Sequence, residues 1–219
     1  MKKQDLAIVV ADKNMDFALR GILSRPKALG IRGIRHRTIP HSGRDGGVRT
    51  SGPALLAVQE RDFEHGLLLL DFEGSGSILN DAVALEAELD KALVSTWGDR
   101  AKAIVIEPEL DSWVWGSDNL LRDVLEWKES ETIRDWLRSR NFQFSEHGKP
   151  ERPKEALDQL MRHVHQPRSS SLYQEITHRI SLTRCVDPAF RRLKDTLARW
   201  FPEVANPPRQ AVSPGSLTD

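Results

Sequence analysis

The segment Gly66-Leu67-Leu68-Leu69-Leu70-Asp71-Phe72-Glu73-Gly74-Ser75-Gly76 places two carboxylates, Asp71 and Glu73, at the end of a short apolar run bounded by glycines. Such a run reads as a strand buried on both faces at the centre of a parallel sheet. Ligands of open α/β sheets bind outside the carboxyl ends of the strands. An acidic pair there is unfavourable unless positive charge sits close by, and a divalent cation answers that need. An all-oxygen site suits Mg²⁺, or Mn²⁺. Two further acidic spots follow apolar runs: Asp12 with Asp16, after Leu6 to Ala11, and Glu107, Glu109 and Asp111, after Ala103 to Ile106. If these runs are neighbouring parallel strands, their ends converge on one edge. Asp12, Asp71, Glu73 and Glu107 would then share metal, with Glu109 as a further ligand or base. Such a site activates water and clamps the oxygens of a phosphoryl transfer. Helix capping also favours acids after strands, and Asp12 fits that role as well.

The elements that would position these acids alternate. Strand-like Leu6–Ala11 precedes a helix over Met15–Leu29 that Pro26 interrupts or ends. Ile31–Ile39 reads as a strand, Pro40–Gly52 as a loop, and Pro53–His65 as a helix with its proline near the start. Leu67–Asp71 is the buried strand. Leu79–Thr96 carries Leu79, Ala82, Leu85, Leu89 and Leu93 at helical spacing. Ala103–Ile106 is a fourth strand, and Leu110–Leu125 is mostly helical. This order implies an α/β parallel sheet covered by helices. From Glu131 the pattern is helical: Thr132–Arg140, Pro153–His165, Ser170–Thr183 and Asp187–Phe201. The expected organisation is an α/β domain over 1–130, a helical extension packed on it over 131–202, and a disordered tail over 203–219.

Val9-Val10-Ala11-Asp12-Lys13-Asn14-Met15-Asp16, with Leu70-Asp71-Phe72-Glu73-Gly74, resembles the Toprim pattern of topoisomerases, primases and related nucleases. In that family an apolar strand leads into a glutamate and glycine, and a second strand ends in Asp-x-Asp. Here Asp12 stands for the glutamate, Lys13 for the glycine and Glu73 for the second aspartate, with Asp16 as the further acid of the first motif. Glu107-Pro108-Glu109-Leu110-Asp111-Ser112-Trp113, Lys149-Pro150 and Phe190-Arg191-Arg192-Leu193 are similar to features of small Toprim-like proteins of bacterial anti-phage defence loci, including a methylation-associated system. The resemblance implies a role in antiviral defence alongside other proteins of the same locus. It also implies a Mg²⁺-dependent nuclease acting on DNA or RNA or, alternatively, a non-catalytic sensing subunit.

Charge is unevenly spread. Residues 1–50 carry 11 basic and 4 acidic side chains, residues 51–135 carry 7 and 19, and the whole chain is neutral. An acidic middle between basic ends suits a metal site serving a phosphate-bearing substrate, and solvated helix faces explain it equally well. Candidate phosphate contacts are Arg44 and Arg49, in the glycine-rich 40–49 segment, and Lys149 and Lys154. His41 reads as structural. The single cysteine, Cys185, excludes an internal disulfide and reads as a small buried residue. No apolar run approaches the roughly 20 residues of a membrane helix, so no membrane partner and a cytoplasmic location are expected.

Overall fold

The computed structural model describes residues 3–183 and 185–203. The tail expected from residue 203 lies, apart from Glu203, outside the described residues, as does Arg184. The elements are β1 (Gln4–Val10), α1 (Lys13–Leu23), α2 (Pro26–Leu29), β2 (His36–Pro40), α3 (Arg44–Ala57), β3 (Phe63–Asp71), α4 (Ala82–Trp97), β4 (Ala101–Ile106), a 3₁₀ segment (Leu110–Gly116), α5 (Asp118–Val124), α6 (Ile133–Arg138), α7 (Pro153–His163), α8 (Ser170–Arg179) and α9 (Pro188–Trp200). The four strands form one wholly parallel sheet in the order β2-β1-β3-β4. The α/β class and the helix-covered parallel sheet expected from the sequence are therefore borne out. Among the described residues no helix is long and apolar enough to cross a membrane.

Leu6–Val10 of β1 and Leu67–Leu70 of β3 are completely buried, which requires helices on both faces. Right-handed crossovers put α1 on one face and α3 and α4 on the other. Accordingly α3 packs on β1 and β3, α4 packs on β4, and α9 packs on β4 and α2. One continuous apolar core takes in residues from both the 1–130 and the 131–202 regions. The outer edge of β4 is closed by side chains rather than by another strand. Glu86 accepts from Val105 N at 2.8 Å, Asp90 accepts from Ala103 N at 2.8 Å, and Arg192 donates to Val105 O at 3.2 Å. Arg192 also binds Glu86. Both the donors and an acceptor of an edge that would otherwise invite pairing are thereby covered.

The helical stretch is interrupted at Pro26 as expected: α1 stops at Leu23, and Pro26 opens the short α2, which Gly30 ends with φ 72°. Two other local readings change. The expected strand over Ile31–Ile39 shortens to β2, because Asp5 takes Arg32 and the Arg35 N–H at 2.6 and 2.7 Å and holds residues 32–35 outside the ladder. The larger change is at Pro40–Gly52. The helix starts at Arg44, Pro53 lies inside it, and it ends at Ala57, so that Phe63–His65 joins β3 instead. Glycines suggested a turn, but Val48, Gly52 and Leu56, spaced four apart, are buried against the sheet. His41 supports this start. Its Nδ1 accepts from Gly43 N at 2.9 Å, and its ring fills the space that a Cβ on Gly47 would need. His41 Nε2 also lies 2.9 Å from Ser51 Oγ, but that hydroxyl donates to Gly47 O. The pair is thus a helix-start brace, not a nucleophile and base.

The closest helix crossing joins α1 to α8. Thr177 Oγ1 donates to Ala18 O at 2.9 Å, and a Cβ on Gly21 would stand 2.5 Å from Gln174 O and 2.9 Å from His178 N, both backbone atoms. Gly21→Ala should destabilise the fold by about 1–3 kcal/mol despite the better helix propensity of alanine. Urea denaturation checks this, and a variant as stable as the parent would refute the close crossing.

Candidate active site at the sheet edge

Parallel pairing aligns the carboxyl ends of the central strands, with Val10 level with Leu69 and Asp71 level with Ile106. The segments that follow β1, β3 and β4 therefore meet at one edge. They line a cleft of about 1100 Å³ that includes Asp12, Asp71, Glu73, Glu107, Glu109 and Asp111. Arg44 and Lys154 also line it. Of the residues singled out from the sequence, all five candidate metal or catalytic acids are thus brought together, along with two of the four basic residues.

Each acid is held differently. Asp71 Oδ1 accepts from Leu110 N at 2.8 Å, so the last residue of β3 anchors the start of the 3₁₀ segment. Burial raises its pKa well above the ordinary carboxylate range, and the charges of Asp45, Glu109 and Asp111 push it further in the same direction. Glu109 accepts from Lys154 N at 3.0 Å and has Lys154 Nζ at 3.8 Å. Burial and then Asp111 still push it up to about 7. Asp12 caps α1, accepting from Met15 N at 3.0 Å through Oδ1. Glu107 faces Ala82 N, the first residue of α4, at 3.4 Å. Glu73 accepts no hydrogen bond among the described residues, although its own N–H donates to Pro108 O at 3.0 Å. That bond stitches the segment after β3 to the segment after β4.

Asp111 has a different role. It is held by Arg168 at 2.5 Å and by Tyr173 OH at 2.9 Å, and Arg168 also reaches Asp158 at 2.8 Å. Burial raises its pKa even so. This ion-paired cluster ties the 3₁₀ segment to α7 and α8 and forms one wall of the cleft.

The remaining predicted residues lie elsewhere. Asp16 is buried outside the cleft and makes a two-pronged pair with Arg20, at 3.0 and 2.7 Å. Its i,i+4 spacing from Asp12 on α1 does not bring it to the edge. Arg49 donates to Ser75 O at 2.7 Å and braces the segment after β3. Lys149 pairs with the buried Asp187 at 3.0 Å and lines a separate cleft. In the glycine-rich 40–49 segment, residues 44–49 form the first turns of α3 rather than an open loop.

Sequence reasoning missed Asp45. Its Oδ1 accepts from Asp71 N at 2.8 Å, beyond the point where β1 stops. Burial raises its pKa and the charge of Asp12 adds to the rise, although the hydrogen bond from Asp71 N opposes it. The neighbouring Arg44 lines the cleft with φ 51°, a conformation uncommon outside glycine. An acid in a helix first turn would have been a usable signal, but only once α3 had been read as starting at residue 44. Set against known protein families, curated proteins and solved structures, the chain has no significant match.

The crowding of acids has a sign-definite consequence. Asp71, Asp45 and Glu109 hold protons to higher pH in the folded state than in the unfolded chain. Their contribution is fully present below the unfolded values near pH 4 and is lost as pH rises through the folded ones, which for Glu109 is about 7. Asp71→Asn keeps an acceptor for Leu110 N and removes the charge. It should stabilise the protein by on the order of 1 kcal/mol at pH 7–8 and by much less at pH 4. Thermal melts of both proteins across that range check the trend, and a difference independent of pH would contradict it.

Proposed function

We propose that this chain is a Toprim-like, divalent-cation-dependent nuclease of a prokaryotic antiviral defence system, working in the cytoplasm beside other proteins of that system. The observation that carries the reading is the convergence of Asp12, Asp71, Glu73, Glu107 and Glu109, from three strand ends, on one cleft that Arg44 and Lys154 also line.

The donor chemistry fits Mg²⁺ or Mn²⁺, since every candidate ligand is a carboxylate. Among the described residues no group of three or more potential ligands already stands at metal-holding spacing. Mg²⁺ is typically held by one or two carboxylates, completed by waters and substrate phosphates, rather than by an all-protein cage. Asp71, half-buried among acidic neighbours, and Glu73, exposed and accepting no hydrogen bond among the described residues, fit that pattern. Asp12 and Glu107 each engage one oxygen in a helix start. A bound cation would supply Lewis acidity and charge neutralisation at the phosphate.

The side chains of the chain itself account for the other parts of phosphodiester hydrolysis. Lys154 and Arg44 would hold the non-bridging oxygens of the phosphate. Glu109, with a pKa of about 7, is poised to take the proton of the attacking water near neutral pH. As the water oxygen bonds to phosphorus, the bond to the leaving sugar oxygen breaks. The buried Asp111–Arg168–Tyr173 cluster fixes the backbone that presents Glu109.

A non-catalytic interaction or sensing subunit of the same multiprotein defence complex, in which the acids hold no metal, is the second reading, favoured by the lack of a preassembled ligand group among the described residues. Incubation with single- and double-stranded DNA and RNA, with Mg²⁺, Mn²⁺ or EDTA, separates the two. Cation-dependent cleavage is expected, reduced by more than about a hundredfold in Asp71→Asn and Glu73→Gln. Its rate should rise with pH as Glu109 loses its proton, and this rise should be missing in Glu109→Gln. Undiminished cleavage by Asp71→Asn would overturn the assignment. Absence both of cleavage of any substrate and of Mg²⁺ or Mn²⁺ binding in calorimetry would favour the non-catalytic role.

A further inference from the structure

A second cleft, of about 640 Å³, lies on the other side of the 3₁₀ segment. Leu110 and Asp111 line the acidic cleft, whereas Ser112–Gly116 line this one except for Val114. The residues around Pro150 are divided in the same way, with Lys149 lining the second cleft and Glu151, Arg152 and Lys154 the first. The electrostatics of the two clefts are opposite. Arg25, His147, Lys149 and Arg179 line the second, and among the described residues no acid does.

Arg25, Lys149 and Arg179 are fixed in place yet keep donors to spare. Arg25 donates from Nη1 to Ile180 O at 2.6 Å. Lys149 gives one of its three N–H groups to Asp187, an acid 4% exposed that also accepts from Trp113 Nε1 and Phe190 N. Asp187 is therefore a buried anchor that positions the ammonium while spreading its own charge over three donors. Arg179 is held from outside the cleft by Asp123 and Glu175. Trp113 and Trp115 supply the apolar wall, and their indole N–H groups are already bonded, to Asp187 and to Pro153 O. Cations pre-positioned around a cavity, with unused donors and no acid among the lining residues, make an anion site whose ordering entropy is lost in folding rather than on binding. The volume lies within the range of small-ligand sites and suits a nucleotide.

We propose that this second cleft binds a phosphate-bearing small molecule of nucleotide size, its phosphoryl groups against Arg25, Lys149 and Arg179 and its remainder along Trp113 and Trp115. The site is independent of the acidic cleft. Its ligand would press on the 3₁₀ segment, whose first N–H binds Asp71.

The test is titration of the full chain in EDTA with ATP and, separately, with pyrophosphate, followed by calorimetry and by tryptophan fluorescence. The expected result is saturable binding by both probes that weakens with added salt. It should be about tenfold weaker or more in Arg179→Ala/His147→Ala, whose side chains are exposed enough to be removed without disturbing the core. Binding should persist in Asp71→Asn, which disables the acidic cleft. No saturable binding, binding unaffected by the double substitution, or binding lost in Asp71→Asn would each overturn the proposal. None of these results depends on nuclease activity, so failure here and failure of the nuclease reading are distinguishable.

Discussion

Two-sided burial of β1 and β3 is the constraint on which the rest of the molecule depends. A parallel strand that is apolar on both faces cannot be left half covered, so the chain must cross over after every strand and bring helices to each side. The crossovers in turn place the starts of α1 and α4 and the segment after β4 at one edge. Asp12, Asp71 and Glu107 therefore meet because the core demands it; no direct attraction between them is needed, and their charges oppose it. The C-terminal helices belong to the same solution. α8 closes over α1 through a contact tight enough to require Gly21, and Arg192 of α9 completes the edge of β4 with Glu86.

The uneven charge along the sequence has a largely intramolecular explanation. Basic residues of the first segment meet acids of the middle one, as in Lys3 with Glu60 at 3.2 Å. Basic residues of the last segment do the same, as in Arg192 with Glu86 at 2.8 Å and Arg168 with Asp111 at 2.5 Å. Much of the acidic middle thus holds the chain ends and the edge strand in place. Of the four basic residues named from sequence, Arg44 and Lys154 reach the acidic cleft, Arg49 braces the segment after β3, and Lys149 is anchored on Asp187 at a separate cleft.

The central strands and the acids at their ends were legible in the sequence, because a leucine run ending in Asp71 carries its burial and its boundary in the same few residues. The start of α3 was not. Gly43, Gly46 and Gly47 signal a turn locally and Pro53 a later helix start, and the helix forms because Val48, Gly52 and Leu56 gain a sheet to pack on, which no local propensity encodes. Asp45 was lost with it. Asp16 shows the opposite error: its spacing from Asp12 was right for a shared helix face, but Arg20, one turn further on, forms a bidentate pair that keeps it buried away from the edge. Hydrophobic pattern fixes strands more securely than charge pattern fixes sites, because a carboxylate can be satisfied by any donor that folding happens to bring near.

The way the fold treats its acids separates structural from chemical duty. Asp5, Asp16, Glu86, Asp111 and Asp187 are all nearly buried, and each is met by an arginine or a lysine. Asp71 is half-buried, yet its one hydrogen-bond donor is a backbone N–H, and its nearest charged influences are further acids. Glu109, 7% exposed, has only the partly exposed Lys154, which fails to bring its pKa back to the normal range. A chain that supplies a cation to five buried carboxylates has the means to supply one to the half-buried Asp71. That none accompanies Asp71, at the very edge where parallel sheets receive ligands, is a destabilising arrangement of the kind retained at functional sites. On the function proposed above, the missing positive charge would be a cation bound from solution, and without one the proton that Asp71 holds takes its place.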